Sequence, residues 1–302
     1  MTQHVELEIG GQRLLLETGR MAKLADGAVL ARCGDTVVLG TAVSSKVART
    51  GVDFLPLTCD YQEKAYAVGR IPGGYFRREG RPTEREILSS RLIDRPLRPL
   101  FPKGYYFDIQ VVASVLSADQ GNTSDLLGII AASAALAISD IPLLHPIAAV
   151  RIGRLNGQFI VNPSFADTEA ADLNLIVAGT EDAVMMVEGG SAGLPEQTII
   201  EAILLAHSEI KKIVQAIERL RQAVGKPKRP VPAKKVDAAL QEAVRSRCQS
   251  QIEAAVLIPN KADRKEKLNA IHQEAAQASS TPEANRATEV AEIFHEMERK
   301  AV

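Results

Sequence analysis

Tryptophan is absent from the 302 residues, and only 4% of them are aromatic. The core must therefore be aliphatic, and any adjacent pair of aromatics stands out. The three cysteines, Cys33, Cys59 and Cys248, are an odd number without CxxC spacing, which points to free thiols in a reducing compartment. The N-terminal residues run straight into a strand pattern, with no signal-peptide apolar region. The longest apolar stretch, around Leu126 to Ile138, carries Gly128 and Ser133 and is too short to span a bilayer. A cytoplasmic protein with no membrane partner is expected. Neither a GxxxxGK[ST] phosphate loop, a GxGxxG fingerprint nor a GxSxG elbow occurs. The five histidines are scattered, and His295-Glu296 lacks the second histidine of a zinc helix, so a metalloprotease is excluded. The formal charge of −1 excludes a polyanion binder acting through bulk charge, so any nucleic-acid site must be a local patch.

Hydrophobic residues make up 46% of the chain, ample for a buried core. The first part alternates like strands. Val5 to Ile9 and Arg13 to Glu17 flank Gly10-Gly11, and Ala28 to Arg32 and Thr36 to Gly40 flank Gly34-Asp35; both read as hairpins. Phe54 to Thr58 and Ile109 to Leu116 are further β-rich runs. Thr83-Glu-Arg-Glu86 is a capping box, and its helix should stop near Asp94 or Arg95 because Pro96 follows. A helix of small residues is expected from Ser124 or Asp125 to about Ser139. Asn156-Gly157 joins another hairpin, and Leu173 to Ala178 pairs with Ala183 to Val187. Pro195 opens a long helix with Ile199, Ile203, Ile210, Ile213, Ile217 and Leu220 on one stripe, closed by Gly225. The basic, proline-rich run from Lys226 marks a linker over 226–234. Residues 235–302 then read as three helices punctuated by Pro259 and Pro282. The expected architecture is an α/β (α+β) domain with mixed sheets over 1–225, followed by a small all-helical domain.

The cationic charge is concentrated. Residues 70–103 hold nine basic side chains (Arg70, Arg77, Arg78, Arg81, Arg85, Arg91, Arg95, Arg98 and Lys103) against Glu79, Glu84, Glu86 and Asp94. Eight of the nine are arginine, whose planar fork suits phosphate oxygens. Within this segment, Gly73-Gly74-Tyr75-Phe76-Arg77-Arg78-Glu79-Gly80 has the form of a projecting loop. Two aromatics beside two arginines give a base-stacking face next to a backbone clamp, as single-stranded nucleic acid requires. Arg91 and Arg95 share one face of the expected helix, and Arg98 follows beyond Pro96. The same arginines could equally be solvated or paired with Asp94 or Glu86, and the aromatics could be loop anchors. Charge and spacing alone leave both readings open.

The run Ala67-Val-Gly-Arg-Ile-Pro-Gly-Gly-Tyr-Phe-Arg-Arg-Glu-Gly-Arg-Pro-Thr-Glu84, continued by Ser90-Arg-Leu-Ile-Asp-Arg-Pro-Leu-Arg-Pro-Leu-Phe-Pro102, resembles the bacterial polynucleotide phosphorylase family. Asp53 to Thr58, Ala178 to Glu181 and Val184 to Glu188 fit the same family. The resemblance covers essentially the whole chain and implies the first RNase PH-like core plus the helical domain. Members of the family use inorganic phosphate to attack the 3′ end of RNA and release nucleoside diphosphates, with Mg²⁺ assistance. They form a homotrimeric ring whose channel loop reads Phe-Phe-Arg-Arg, and RNA degradosome proteins are further implied partners. By this resemblance Tyr75, Phe76, Arg77 and Arg78 are the channel loop and bind single-stranded RNA, with Arg91, Arg95 and Arg98 behind them.

Family members continue with a second core and with KH and S1 domains, so the chain is expected to be an N-terminal portion of such an enzyme or a short relative. The second core carries the family's phosphate site, at a helix N-terminus, and its metal-binding aspartate pair. The equivalent helix start here reads Asn122-Thr123-Ser124-Asp125, where Asp125 would repel phosphate and act as a cap, leaving Ser124 as a cap or turn residue. Asp172 lacks its mate, because Ala166 stands six residues earlier, beside Asp167; Asn174 and Ile176 replace further functional positions. No catalytic residue and no bound Mg²⁺ are therefore expected in this portion. The alternatives are a stand-alone RNA-binding scaffold and a self-sufficient enzyme using Ser124 and Asp172.

Overall fold

The structure is a computed structural model that describes residues 2–49, 52, 54–119, 121–231, 237–279 and 286–302. It divides into two compact units, Met1–Pro232 and Ala233–Val302. In the first, strands β1 (Gln3–Ile9), β2 (Gln12–Thr18), β3 (Gly27–Cys33), β4 (Thr36–Ala48), β5 (Leu57–Glu63) and β6 (Phe107–Ser117) make a six-stranded sheet in the order β1-β2-β3-β4-β6-β5. A second sheet, in the order β10-β9-β7-β8, is formed by β7 (Ala148–Leu155), β8 (Gln158–Val161), β9 (Leu173–Gly179) and β10 (Val184–Ser191). The expected hairpins form with matching registers, Ile9 opposite Gln12 and Cys33 opposite Thr36. The β7–β8 turn puts Asn156 and Gly157 at φ of 52° and 80°, the left-handed pair that a two-residue hairpin needs.

Among the described residues, only β5 and β6 pair in parallel. A parallel pair requires a crossover, and residues 64–106 supply it. They contain a short 3-10 helix (Ala65–Val68), the arginine loop and helix α1 (Glu84–Leu97). The strand expected over Phe54 to Thr58 begins only at Leu57. Helix α1 also runs past the expected stop, with Pro96 buried in its last turn. A proline there removes one N–H from a terminus that is already tightening, and the chain continues into a 3-10 turn at Arg98–Leu100.

Helix α2 (Ser124–Ile138) is buried almost throughout and packs on β3 and β4 as well as on α4 (Glu196–Val224). Two glycines make that seat. A Cβ on Gly27 would lie 2.0 Å from the Ala135 carbonyl oxygen, and one on Gly40 would lie 2.4 Å from the Ala131 carbonyl carbon. The backbones of helix and sheet touch, with no room for a methyl group. Helix α4 buries Ile210, Ile213, Ile217 and Leu220 on its expected stripe, with Ile199 and Ile203 partly buried. It ends at Gly225, which is extended rather than left-handed at φ −64°.

Residues 226–229, expected within the linker, are strapped onto the first unit. Lys228 Nζ donates to the carbonyls of Leu136, Ala137 and Ser139 at 2.8, 2.9 and 2.8 Å, capping the C-terminus of α2. Arg229 forks onto Asp140 at 2.8 and 2.9 Å and lies 3.2 Å from Asp26. A lysine with three donors finds its acceptors at a helix end, so these cations hold the fold rather than stiffen a free linker. The remaining expected linker positions, 232–234, and Pro282 lie outside the described residues. The second unit packs α5 (Ala238–Val256), α6 (Lys261–Ser279) and α7 (Ala287–Ala301) around Leu240, Val244, Cys248, Ile252, Ile271, Val290 and Phe294. Burial pushes all three thiols upward, and all three are free. Among the described residues, no helix is long and apolar enough to cross a membrane.

Gly40→Ala should destabilise the first unit by about 2–3 kcal/mol, because overpacking against backbone cannot relax. Gly190→Ala, with open space at its Cβ, is the control, read by urea unfolding. The Arg229 fork, opposed by partial burial, holds the Asp140 carboxyl below the ordinary carboxylate range. A lowered folded value means that the stabilisation is complete above about pH 4 and disappears as acid protonates the folded carboxylate. Asp140→Asn should accordingly flatten the acid limb of stability, followed by unfolding midpoints at several pH values.

Candidate functional site

The arginine loop leaves the C-terminal end of β5 and is exposed almost everywhere between Val68 and Arg85. A turn closed by Arg77 N–H on the Gly74 carbonyl, at 2.9 Å, carries Tyr75 and Phe76 at its corners. Both rings face solvent, Tyr75 at 94% and Phe76 at 80% exposure, and they meet edge to face with centroids 5.3 Å apart. Large apolar rings this open have no core to anchor. Arg77 takes a left-handed φ of 52°, uncommon for a non-glycine residue, so the tip is a sharply bent, strained projection.

The arginines behind the tip divide into two sets. Arg98 is fully engaged: it donates to both Asp94 carboxylate oxygens, at 3.1 and 2.6 Å, and to the Leu55 and Leu57 carbonyls at 3.1 and 3.0 Å. Arg95 pairs with Glu188 of β10 and reaches Met186 Sδ at 3.2 Å. Arg85 lies 3.2 Å from Glu63 and over the Phe165 ring. By contrast, the side chains of Arg70, Arg77, Arg78, Arg81 and Arg91 have no hydrogen-bond or ion-pair partner among the described residues and are exposed. Five unpartnered guanidinium groups surround the two bare rings in sequence. The capping box is complete, Thr83 Oγ1 accepting from the Glu86 amide at 3.2 Å and Glu86 Oε2 from the Thr83 amide at 2.7 Å. Glu86 also accepts from the Glu63 amide at 2.8 Å, and these bonds keep its carboxyl low in spite of partial burial.

The start of α2 is closed to anions. Ser124 is buried and accepts the Tyr61 hydroxyl at 2.7 Å, so it is neither a cap nor a free ligand. Burial pushes the Tyr61 hydroxyl upward, which keeps it a donor. Thr123 holds the cap position without a side-chain bond, and Asp125 differs from the expected cap. One Asp125 oxygen takes the Leu126 amide at 2.8 Å, and the other takes Arg151 Nη2 at 2.9 Å, with both side chains largely buried. Arg151 Nη1 is received by Asn174 at 3.0 Å. An arginine inside the apolar strand Ala148-Ala-Val-Arg-Ile152 was the sequence signal for this pair, since such a charge needs a partner.

Nor do the carboxylates fit a magnesium ion. Asp172 Oδ2 lies 2.5 Å from Arg154, and Asp167 is bonded to Ser164, the cap of α3 (Phe165–Ala170). One oxygen of each carboxylate already answers a guanidinium or a cap, Asp172 Oδ1 being buried without a partner, and no cluster of three metal-ligating side chains occurs among the described residues.

Comparison with known proteins gives the chain its family. Models of the 3′ exoribonuclease family match as domain 1 over residues 10–142 and as domain 2 over 145–209. The polyribonucleotide nucleotidyltransferase RNA-binding domain model matches residues 239–302. The solved structure of rice (Oryza sativa) Rrp46 superposes with a TM-score of 0.55 at 15% identity, covering 74% of this chain and 95% of that one, a likeness of fold alone. These matches define a 3′ exoribonuclease fold of the RNase PH type. Polyribonucleotide nucleotidyltransferases from Heliobacterium modesticaldum and Thermodesulfovibrio yellowstonii are 48% and 51% identical over 99% and 92% of this chain. The chain belongs to the polyribonucleotide nucleotidyltransferase family and corresponds to the N-terminal portion of its members. It spans 42% and 39% of the lengths of those two relatives.

Replacing Arg151 by alanine would strand Asp125 in the interior, at a cost of about 3–5 kcal/mol. Arg151→Ala/Asp125→Ala should recover much of that loss in a double-mutant cycle of unfolding free energies.

Proposed function

We propose that this chain is the RNA-gripping, non-catalytic portion of a phosphate-dependent 3′-to-5′ exoribonuclease that degrades RNA to nucleoside diphosphates. The observation that carries this reading is the Tyr75-Phe76-Arg77-Arg78 turn, with two bare rings and two unpartnered arginines at the tip of a crossover loop. Bases stack on the rings without regard to sequence, and the guanidinium groups neutralise phosphates. Arg91 adds a free cation on α1. Arg95 and Arg98 act behind the loop, holding α1 against β10 and against the entry to β5. In the whole enzyme, three copies in a ring would present three such loops to one strand, which multiplies a weak individual grip.

The chemistry belongs to the remainder of the enzyme, where inorganic phosphate is the co-substrate and Mg²⁺ the assisting ion. The closed α2 terminus supports this division, because a carboxylate already paired with Arg151 leaves an incoming phosphate no free cation. The cytoplasm and the partners of RNA degradation complete the setting.

Single-stranded RNA binding tests the reading. Arg77→Ala and Arg78→Ala should each weaken affinity uniformly across sequences and lower the salt slope by about one. Tyr75→Ala and Phe76→Ala should each cost about 1–3 kcal/mol while leaving that slope unchanged. Unchanged affinity in all four would remove the loop from RNA binding. With phosphate and Mg²⁺, the chain alone should release no nucleoside diphosphate; release would overturn the non-catalytic assignment.

A further inference from the structure

The base of the RNA loop converges on one residue. Ala65 donates its amide to Glu79 Oε1 at 3.0 Å and accepts the Arg70 amide on its carbonyl at 3.0 Å. The outgoing limb at residue 70 and the returning limb at residue 79 are thus pinned to the same peptide segment. Lys64 Nζ completes the second pin on Glu79 Oε2 at 2.9 Å. Among the described residues from Ile71 to Pro82, Glu79 is the one side chain hydrogen-bonded to the body of the unit, through these two bonds. The turn that carries both rings is closed by the Arg77 amide on the Gly74 carbonyl, a bond within the loop itself.

From this geometry we infer that Glu79 is a positioning residue for RNA, acting as the latch that closes the loop base on Lys64 and Ala65 and fixes the Tyr75–Arg78 tip in its binding pose. The inference rests on the RNA reading of that tip. It assigns a use to an acidic side chain that bulk electrostatics would count against RNA binding, since Glu79 lies one residue from Arg78. The two bonds also keep the Glu79 carboxyl below its ordinary range, first through Lys64 and then through the Ala65 amide, so the latch stays charged near neutrality. A loop of free arginines without a latch samples many poses, and affinity falls by the fraction of time spent in the competent one.

Charge and position make opposite forecasts for one substitution. Glu79→Gln removes a negative charge from the patch, so charge alone tightens RNA binding; loss of the latch weakens it. In the full chain, with a fluorescein-labelled oligoadenylate as probe, Glu79→Gln should bind about fivefold more weakly. The salt slope should stay at the parental value, because no phosphate contact is removed. Glu79→Asp, which keeps the charge but is one methylene too short to span both donors, should also bind more weakly. Trypsin should cut after Arg77 and Arg78 faster in both variants, while the unfolding midpoint moves little. Equal or tighter binding by both variants, alongside weakened binding by Arg77→Ala, would overturn the latch and leave the RNA site standing. If Arg77→Ala and Arg78→Ala also bind as the parent does, the RNA reading fails and the latch fails with it.

Discussion

Contact between the backbone of α2 and the backbones of β3 and β4 is the constraint on which the first unit depends. Gly27 and Gly40 lie directly under the Ala135 and Ala131 peptides, so the helix settles on the sheet at a distance no side chain would permit. Its alanines and buried Ser133 are the residue types that such a seat admits. Ser133 justifies its place by receiving the Ile147 amide at 2.8 Å, which sets the start of the second sheet. With α2 fixed, its C-terminal carbonyls are available to Lys228 and its N-terminus faces β7, where Arg151 emerges. One buried helix thus determines where the strap ends and where Asp125 meets Arg151.

The two candidate sites differ in what happens to arginine. At the start of α2, guanidinium groups are buried and each answers a carboxylate or an amide oxygen, an arrangement that holds a fold but leaves no charge for a ligand. Around the Tyr75–Arg78 turn they are exposed and unpartnered, so their charge is available to phosphate. The two sets differ in whether packing sets an oxygen acceptor beside the guanidinium. Arg95 and Arg98 sit at the boundary, exposed in part yet committed to Glu188 and Asp94.

Much of the fold was legible because its signals are local. Glycine pairs and Asn156-Gly157 located the hairpins, and the Thr83–Glu86 box located the start of α1, since both depend on a few consecutive residues. The Pro96 stop was misplaced, and the bonds of residues 226–229 went unread, for the opposite reason. Pro96 is tolerated where α1 packs and tightens, and the cations of residues 226–229 found acceptors on α2 and at Asp26 and Asp140, about ninety to two hundred residues away in the chain. Likewise Asp125 reads as a cap in sequence, yet Arg151 claims it across the fold.

The sequence by itself determined the tip of the loop: two adjacent aromatics, two arginines and flanking glycines stand together in eight residues, and no folding is needed to bring them close. Only the tertiary structure decided which arginines remain free, that the α2 terminus is sealed, and that Glu79 reaches back to Lys64 and Ala65. Those outcomes depend on partners far apart in the chain. A charge becomes structural or functional according to what burial sets beside it, and burial is a property of the packed whole.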